Sequence, residues 1–488
     1  MNLSSIKRNA FLNILRTLLS IIFPLITFPY ATRVLQPEGI GKVQFSAGII
    51  SYFVMFAGLG IGTYGIRETA KKRDNRQELI KVTKELFVLN LIPTTIAYLL
   101  FGLALFVIPK FSSYRNLLII YSSIILFTTI GIEWLYSGLE QYAYITIRQF
   151  IFQLFSLILL FIFVRQKNDV VKYGAICVFA NVGANVCNFI HSRKYINWRK
   201  PVKLELKHHL KPVFILFGMR VAASLYVTLD TTLLGFLSGD AQVGYYESAN
   251  KMTRIVVSLI TCVTAVMLPR LSYFVEKNDK ESFNNLIRQS FDILLLFSLP
   301  MTAGLFVLRN NIITIISGSR FLPAVPVMGI LVPLVLVIPL SSFMGNQIFL
   351  PLGKENISFY AMFTGAVINL GLSVFLIKKY DAFGAAFASL LAETCITIFY
   401  FVVAIKQKLF SASKKSIVHY LFSTVFIATI IYLINCLNTN LYLKTILSII
   451  LGICFYAIAL IILRDETFFN LYGQIKERLL KKNNSNID

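Results

Sequence analysis

Residues 324–349 read AVPVMGILVPLVLVIPLSSFMGNQIF, a run of 26 positions without one Asp, Glu, Lys or Arg. About 20 mostly apolar residues in helical form cross a hydrocarbon core of roughly 30 Å. This stretch is too long for a buried strand and too apolar for a solvated helix. It is a membrane span, and the rest of the chain repeats it. In the first half the apolar stretches are Asn9–Ala31, Val43–Ile66, Leu86–Ile108, Leu117–Leu139, Gln149–Val164 and Tyr173–His191. They continue as Pro212–Leu237, Tyr246–Pro269, Ile287–Leu308, Ala324–Phe349, Ile357–Ile377 and Phe383–Ile405, with a last pair at Ile417–Cys436 and Tyr442–Leu463. The reading is therefore an all-α polytopic membrane protein with fourteen transmembrane helices. No gap between spans is long enough to hold a soluble domain.

Composition agrees. Of 488 residues, 56% are hydrophobic and 14% charged, and the mean hydropathy is +0.71. Soluble domains carry about a quarter of their residues as charges. The net charge of +24 in a soluble protein would suggest nucleic acid. Here topology accounts for it. With the N-terminus inside, 31 of the 47 Lys and Arg fall in cytoplasmic segments and 12 in outer ones, Arg288 and Lys444 at the very ends of their stretches being counted with the adjoining segments. That bias orients the chain with both termini cytoplasmic, and no nucleic acid is implied. The first stretch lacks the small residues of a cleavage site after Tyr30-Ala31-Thr32-Arg33, so it reads as a retained helix rather than a signal peptide. The six cysteines all fall in or beside apolar stretches and are expected as buried free thiols; no metal-ligand spacing is present.

The two halves echo each other. The interval Gly41–Arg67 recurs as Gly244–Arg270, Gly138-Leu139-Glu140 as Gly353-Lys354-Glu355, and Phe179-Ala180-Asn181 as Phe387-Ala388-Ser389. Such order at a similar offset indicates a duplicated six-helix unit. An even number of helices makes the repeats parallel, an arrangement seen in transporters that rock two lobes about a midplane site. The expected divisions are a lobe over 1–211, a second over 212–416, transmembrane helices 13 and 14 over 417–463, and an amphipathic cytoplasmic tail over 464–488. In that tail Phe468, Tyr472, Ile475 and Leu479 share a helical face, either along the inner membrane surface or simply solvated.

Four basic residues lie inside apolar stretches away from their ends: Arg16, Arg220, Lys251 and Arg254. A charge at the bilayer centre costs about 2.5–3.5 kcal/mol on insertion scales, so it needs a partner or a wet cavity. Polar residues continue the same faces at helical period, as in Arg220, Ser224, Thr228 and Thr231. A water-filled vestibule between the halves explains these stripes together. For each base alone, snorkelling to the headgroups is the competing explanation. Among the intramembrane acids, Asp230, Glu133 and Glu393 are candidates for coupling to H+ or Na+, or else members of structural ion pairs. Pro24 and Pro29 in helix 1, and Pro326, Pro333 and Pro339 in helix 10, are expected to bend their helices. No G-x-x-x-x-G-K-[ST] loop, H-E-x-x-H or G-x-S-x-G occurs, so no enzyme chemistry or ATP hydrolysis of those kinds is expected, and no cofactor.

Several short motifs together resemble one family. Thr32-Arg33-Val34-Leu35 with Gly39 resembles an Arg-x-Leu-Gly loop in which Gln36 replaces the usual glycine. Gly65-Ile66-Arg67-Glu68, Gly138-Leu139-Glu140 with Arg148, Asp230-x-x-x-Leu234-Gly235 and Gly244-x-Tyr246 with Lys251 follow in order. The chain is similar in these to Wzx-type polysaccharide (O-antigen) flippases of the multidrug/oligosaccharidyl-lipid/polysaccharide (MOP) exporter superfamily. The resemblance implies a two-lobed fold in the bacterial inner membrane. Its cavity would flip an undecaprenyl-pyrophosphate-linked oligosaccharide, with possible partners in the polysaccharide polymerase machinery. It also implies Arg33 and Lys251 as cavity bases; Arg16, Arg220 and Arg254 come from the stripes. An exporter of drugs or of the peptidoglycan lipid precursor is the nearest rival. A membrane glycan polymerase or ligase is a more distant one, because it would need a large outer loop.

Overall fold

The computed structural model describes the backbone of residues 3–265, 267–410, 414–470 and 473. Side chains are described for the same residues except 3–21, 219, 222–227, 263, 265 and 414. Most of the expected amphipathic tail, with Arg16 and the first turns of helix 1, lies outside the described side chains. All the regular structure among the described residues is helical.

Packing divides the chain into two compact units, Met1–Glu247 with Ile377–Ala382, and Ser248–Leu376 with Phe383–Asp488. The first unit holds α1 (Leu3–Gly58), α2 (Ile61–Lys72), α3 (Arg76–Val107), α4 (Arg115–Gly131), α5 (Glu133–Gly138), α6 (Tyr142–Phe163), α7 (Val170–Ser192) and α8 (Lys207–Leu237). The boundary falls within α9 (Asp240–Ala265). Then come α10 (Leu268–Glu276), α11 (Lys280–Val307), α12 (Arg309–Ser317), α13 (Ala324–Leu331), α14 (Leu334–Phe343), α15 (Glu355–Lys406), α16 (Lys414–Asn435) and α17 (Leu441–Ile462). Ten helical segments among the described residues are long and apolar enough to cross a membrane. Two of them, which include α1 and α15, exceed 50 residues and contain a break.

The breaks have local causes. In α1 the one non-helical residue is Gln36, at φ 62° and ψ 177°. Proline disfavours the α region for the residue before it, and Pro37 follows Gln36 directly. At Pro24 and Pro29 the φ/ψ angles of α1 stay helical, so the break itself falls at Gln36. In the 324–349 stretch the interruption falls at Val332-Pro333, between α13 and α14, while Pro326 and Pro339 stay inside helices. Helix 4 is also broken, at Ile132 between α4 and α5, where φ is 36°. Asn188 Nδ2 donates to the Gly131 carbonyl at 2.8 Å and satisfies a backbone acceptor at that break.

Helix ends at the aqueous faces are capped by short polar side chains. Asn75 accepts from the amides of Gln77 and Glu78 to start α3, Asp279 from Ser282 to start α11, and Asn440 from Tyr442 to start α17. In unit 1 an apolar core joins Ile61 and Tyr64 of α2, Leu79, Val82 and Leu86 of α3, and Trp134, Leu135 and Tyr136 of α5. Fully burying each aliphatic side chain there is worth about 1.5–3 kcal/mol. In unit 2 Asn311 Nδ2 donates to Asn435 Oδ1 at 2.8 Å and to Thr445 Oγ1 at 3.1 Å, tying α12 to the C-terminal helix pair.

The outside of the protein is as greasy as the core. Phe106, Phe375 and Ile462 are 83%, 76% and 74% exposed. In water such a surface would aggregate; in lipid it is solvated. The cysteines share this surface. All six are free, five are exposed and Cys177 is half-buried, which corrects the expectation of buried thiols. Five of them lie in helices and Cys436 follows α16 directly, and in apolar surroundings a thiol behaves as a small apolar group.

Candidate functional site

Within unit 1, glycines set the closest approaches. A Cβ at Gly41 would land on the Asp240 carbonyl, one at Gly244 on the Pro37 carbonyl, and one at Gly235 inside the Phe45 ring. The second half of α1 therefore meets the α8–α9 turn backbone to backbone. Lys110 seals this seam. Its ammonium donates to the carbonyls of Gly235 and Phe236, at the C-terminus of α8, and lies 5.8 Å from the centres of the Phe45 and Phe236 rings. A cation suits that end of a helix dipole. Beside the seam Asp230 is buried and accepts a hydrogen bond from Tyr246 Oη at 3.0 Å. Thr231 Oγ1 donates to Glu247. The motif Asp230…Gly235…Gly244-x-Tyr246 is thus one packed hairpin.

Arg33, in contrast, is exposed, three residues before the Gln36 break. Arg220 is exposed too; a Cβ added at Gly62 or Gly58 would lie 3.6 or 3.8 Å from its Nη1, which places the guanidinium beside the break between α1 and α2. Glu133 stands at the start of α5, 3.7 Å from Arg148 Nη2. Arg148 is buried and also donates from Nη1 to the Ala184 carbonyl at 3.2 Å. The structure therefore brings Asp230 to Tyr246 and Glu133 to Arg148, partners that charge patterning alone did not name.

In unit 2, Lys251 and Arg254 are half-buried on α9, and Arg254 Nε lies 3.4 Å from Asn250 Oδ1. This is the i, i+4 contact expected along one helical stripe. Glu393 is buried in α15 and accepts from Ser341 Oγ of α14 at 3.3 Å.

Sequence reading missed a polar clamp in unit 1. His209 Nε2 lies 3.1 Å from Glu85 Oε2, its Nδ1 lies 2.8 Å from Tyr64 Oη, and Glu85 Oε1 accepts the Glu205 amide at 2.8 Å. Burial holds the His209 imidazole below its ordinary pKa of 6.5, so it favours the neutral form. Glu85, His208 and His209 place their ligand atoms within 4.8 Å of one another, a composition that suits a metal ion. The Glu85 and His209 atoms are already committed to each other, to Tyr64 and to a backbone amide, which makes the cluster a tie for the 193–211 segment. On a different loop Lys167 pairs with Glu38 at 3.0 Å and holds that carboxyl below its usual range.

Residues 6–275 match the family described as polysaccharide biosynthesis protein, and residues 216–375 match MatE. The chain belongs to the polysaccharide biosynthesis protein family. A relative from Escherichia coli (strain K12), named "Putative O-antigen transporter", is 26% identical over 77% of this chain and 91% of its own length. One from Shigella dysenteriae with the same name is 26% identical over 80% and 98%. Among solved structures, lipid II flippase MurJ in an inward closed conformation superposes with a TM-score of 0.75 at 17% identity, covering 93% of this chain and 99% of MurJ. A MATE transporter of the MOP superfamily in an inward-facing conformation gives 0.63 at 14%, over 81% and 97%. The structural likenesses show the fold of this polysaccharide biosynthesis protein: a multi-pass, all-α membrane fold like that of MurJ and the MATE transporter.

Proposed function

We propose that the chain is a flippase that carries an undecaprenyl-pyrophosphate-linked oligosaccharide from the cytoplasmic to the outer leaflet of the bacterial inner membrane by alternating access. One observation carries the reading. Arg220 is exposed and Lys251 and Arg254 are half-buried, on helices otherwise rich in apolar residues. Bases on apolar membrane helices that keep some exposure are positioned to meet an anion. A pyrophosphate supplies one, because it accepts short charge-assisted hydrogen bonds from Arg and Lys. Arg33, near the Gln36 break, and Arg16 are assigned to the same anionic headgroup. The names of the O-antigen transporter relatives support this substrate class.

The full architecture belongs to this reading. Taking α1 and α15 as two spans each, and adding α8 and α9, gives fourteen spans in two six-helix parallel repeats over 1–211 and 212–416, with a helix pair over 417–463 and a tail over 464–488. Both termini are cytoplasmic. Energy comes from an H+ or Na+ gradient, and the acids assigned to coupling are Asp230 and Glu393, both buried; Glu133 is held by Arg148 and is the weakest of the three. Association with a polysaccharide polymerase fits the product's fate in the outer leaflet.

Deleting the gene and following its lipid-linked oligosaccharide tests the substrate. The expected result is accumulation on the cytoplasmic side with loss of the surface glycan. Accumulation of the peptidoglycan precursor instead would move the assignment to that rival.

A further inference from the structure

At one end of the C-terminal helix pair a cavity of about 320 Å³ opens between the first turns of α11, the first turns of α16 and the residues that follow α17. A water occupies roughly 30 Å³, so the space suits a polar group of several heavy atoms. Its charges are layered. On the floor, Asp292 is 5% exposed and its Oδ1 has no hydrogen-bond partner. Asp465, 2% exposed, is by contrast fully engaged. It accepts from the Phe468 amide at 3.0 Å and Tyr420 Oη at 3.3 Å, and lies 3.4 Å from His419 Nδ1. At the mouth Arg288, Lys415 and Arg464 are exposed, with Glu466 among them.

A buried carboxylate oxygen without a donor costs free energy that a bound N–H would recover. A simple anion is excluded from the floor by Asp292 and Asp465, and a simple cation is repelled at the mouth by the three bases. A zwitterion satisfies both layers. The site lies where the apolar runs of three helices begin or end, the depth of lipid headgroups. The adjoining helices α16 and α17 are only 28% buried over their apolar windows and expose Val418, Phe422 and Ile462 to acyl chains.

We propose that this cavity binds the headgroup of an aminophospholipid, the primary ammonium donating to Asp292 and the phosphate meeting Arg288, Lys415 and Arg464. A quaternary choline ammonium has no N–H to offer Asp292 and binds poorly. The site requires only that the chain spans a membrane, so it stands or falls independently of the transported substrate.

The test uses the full-length protein in phosphatidylglycerol nanodiscs doped with phosphatidylethanolamine, its N-methyl and N,N-dimethyl forms, or phosphatidylcholine. Retained lipid is counted by native mass spectrometry. Affinity should fall along the methylation series, by about tenfold from end to end, the scale of one hydrogen bond to a charged group. Asp292→Asn should flatten the series. Arg288→Gln with Arg464→Gln, at exposed positions that leave folding intact, should weaken all four lipids alike. Equal retention of the ethanolamine and choline lipids, a series unchanged in Asp292→Asn, or retention unaffected by the double arginine variant overturns the proposal. Soluble glycerophosphoethanolamine should compete weakly; competition equal to that of the lipid would assign the site to a soluble phosphoamine instead and refute the lipid.

Discussion

The close-packed glycines of the family motifs and the bases assigned to the headgroup are placed in opposite ways. Gly41, Gly235 and Gly244 bring backbones together, and Asp230 with Tyr246 is buried beside them. Arg33 and Arg220 are exposed, and Lys251 and Arg254 half-buried. The difference teaches that the glycines of the short family signatures mark scaffold, where one atom too many is intolerable, while Arg33 and Lys251 of the same signatures keep some exposure. The substrate contacts we propose fall instead on bases that keep some exposure on apolar helices. The two sets should therefore fail differently when changed.

The largest effect is expected at the seam. Gly41→Val drives a side chain into the Asp240 carbonyl, a backbone group that cannot swing aside. Overpacking costs typically 1–3 kcal/mol and more against rigid backbone, so folded protein should be nearly lost when yield is followed by size-exclusion chromatography after mild heating. A wild-type melting profile would break the comparison.

Arg148→Leu comes next. It removes a hydrogen bond to the Ala184 carbonyl and the ion pair with half-exposed Glu133, a loss of about 1–3 kcal/mol once solvent screening of the glutamate is allowed for. Adding Glu133→Gln should recover part of that loss if the pair is structural. No recovery in the double variant, together with lost ion dependence in Glu133→Gln alone, would return Glu133 to the coupling machinery.

The smallest effect has the opposite sign. Gln36 occupies φ 62°, ψ 177°, a region almost confined to glycine, where another residue costs on the order of 1–3 kcal/mol. Gln36→Gly should raise the unfolding temperature by the equivalent of about 1 kcal/mol, after glycine's greater chain entropy is deducted. A lower temperature would mean that the glutamine side chain holds the turn.

Much of this was legible beforehand. The apolar stretches fall on helices because hydrophobic length alone decides what crosses a bilayer. The Gln36 break was also within reach, since it precedes Pro37 in a loop whose family pattern has glycine there, whereas Pro24 and Pro29 leave the φ/ψ angles of α1 helical. Glu133–Arg148 and Asp230–Tyr246 were out of reach as pairs. Their partners are separated by 15 and 16 residues across a turn, and no single-helix periodicity reports a contact between helices. The Asp292 cavity escaped for the same reason, because it joins α11 to residues more than a hundred positions away.

The most direct measurement is flipping itself. Purified wild type and an Arg220→Gln, Lys251→Gln, Arg254→Gln triple variant are placed in vesicles with a fluorescent polyprenyl-pyrophosphate-linked oligosaccharide in one leaflet. Wild type should carry it across, and the triple variant, folded and inserted with an unaltered melting profile, should be slower by on the order of a hundredfold, as losing several charge-assisted contacts implies. Equal rates in the two proteins would contradict the account.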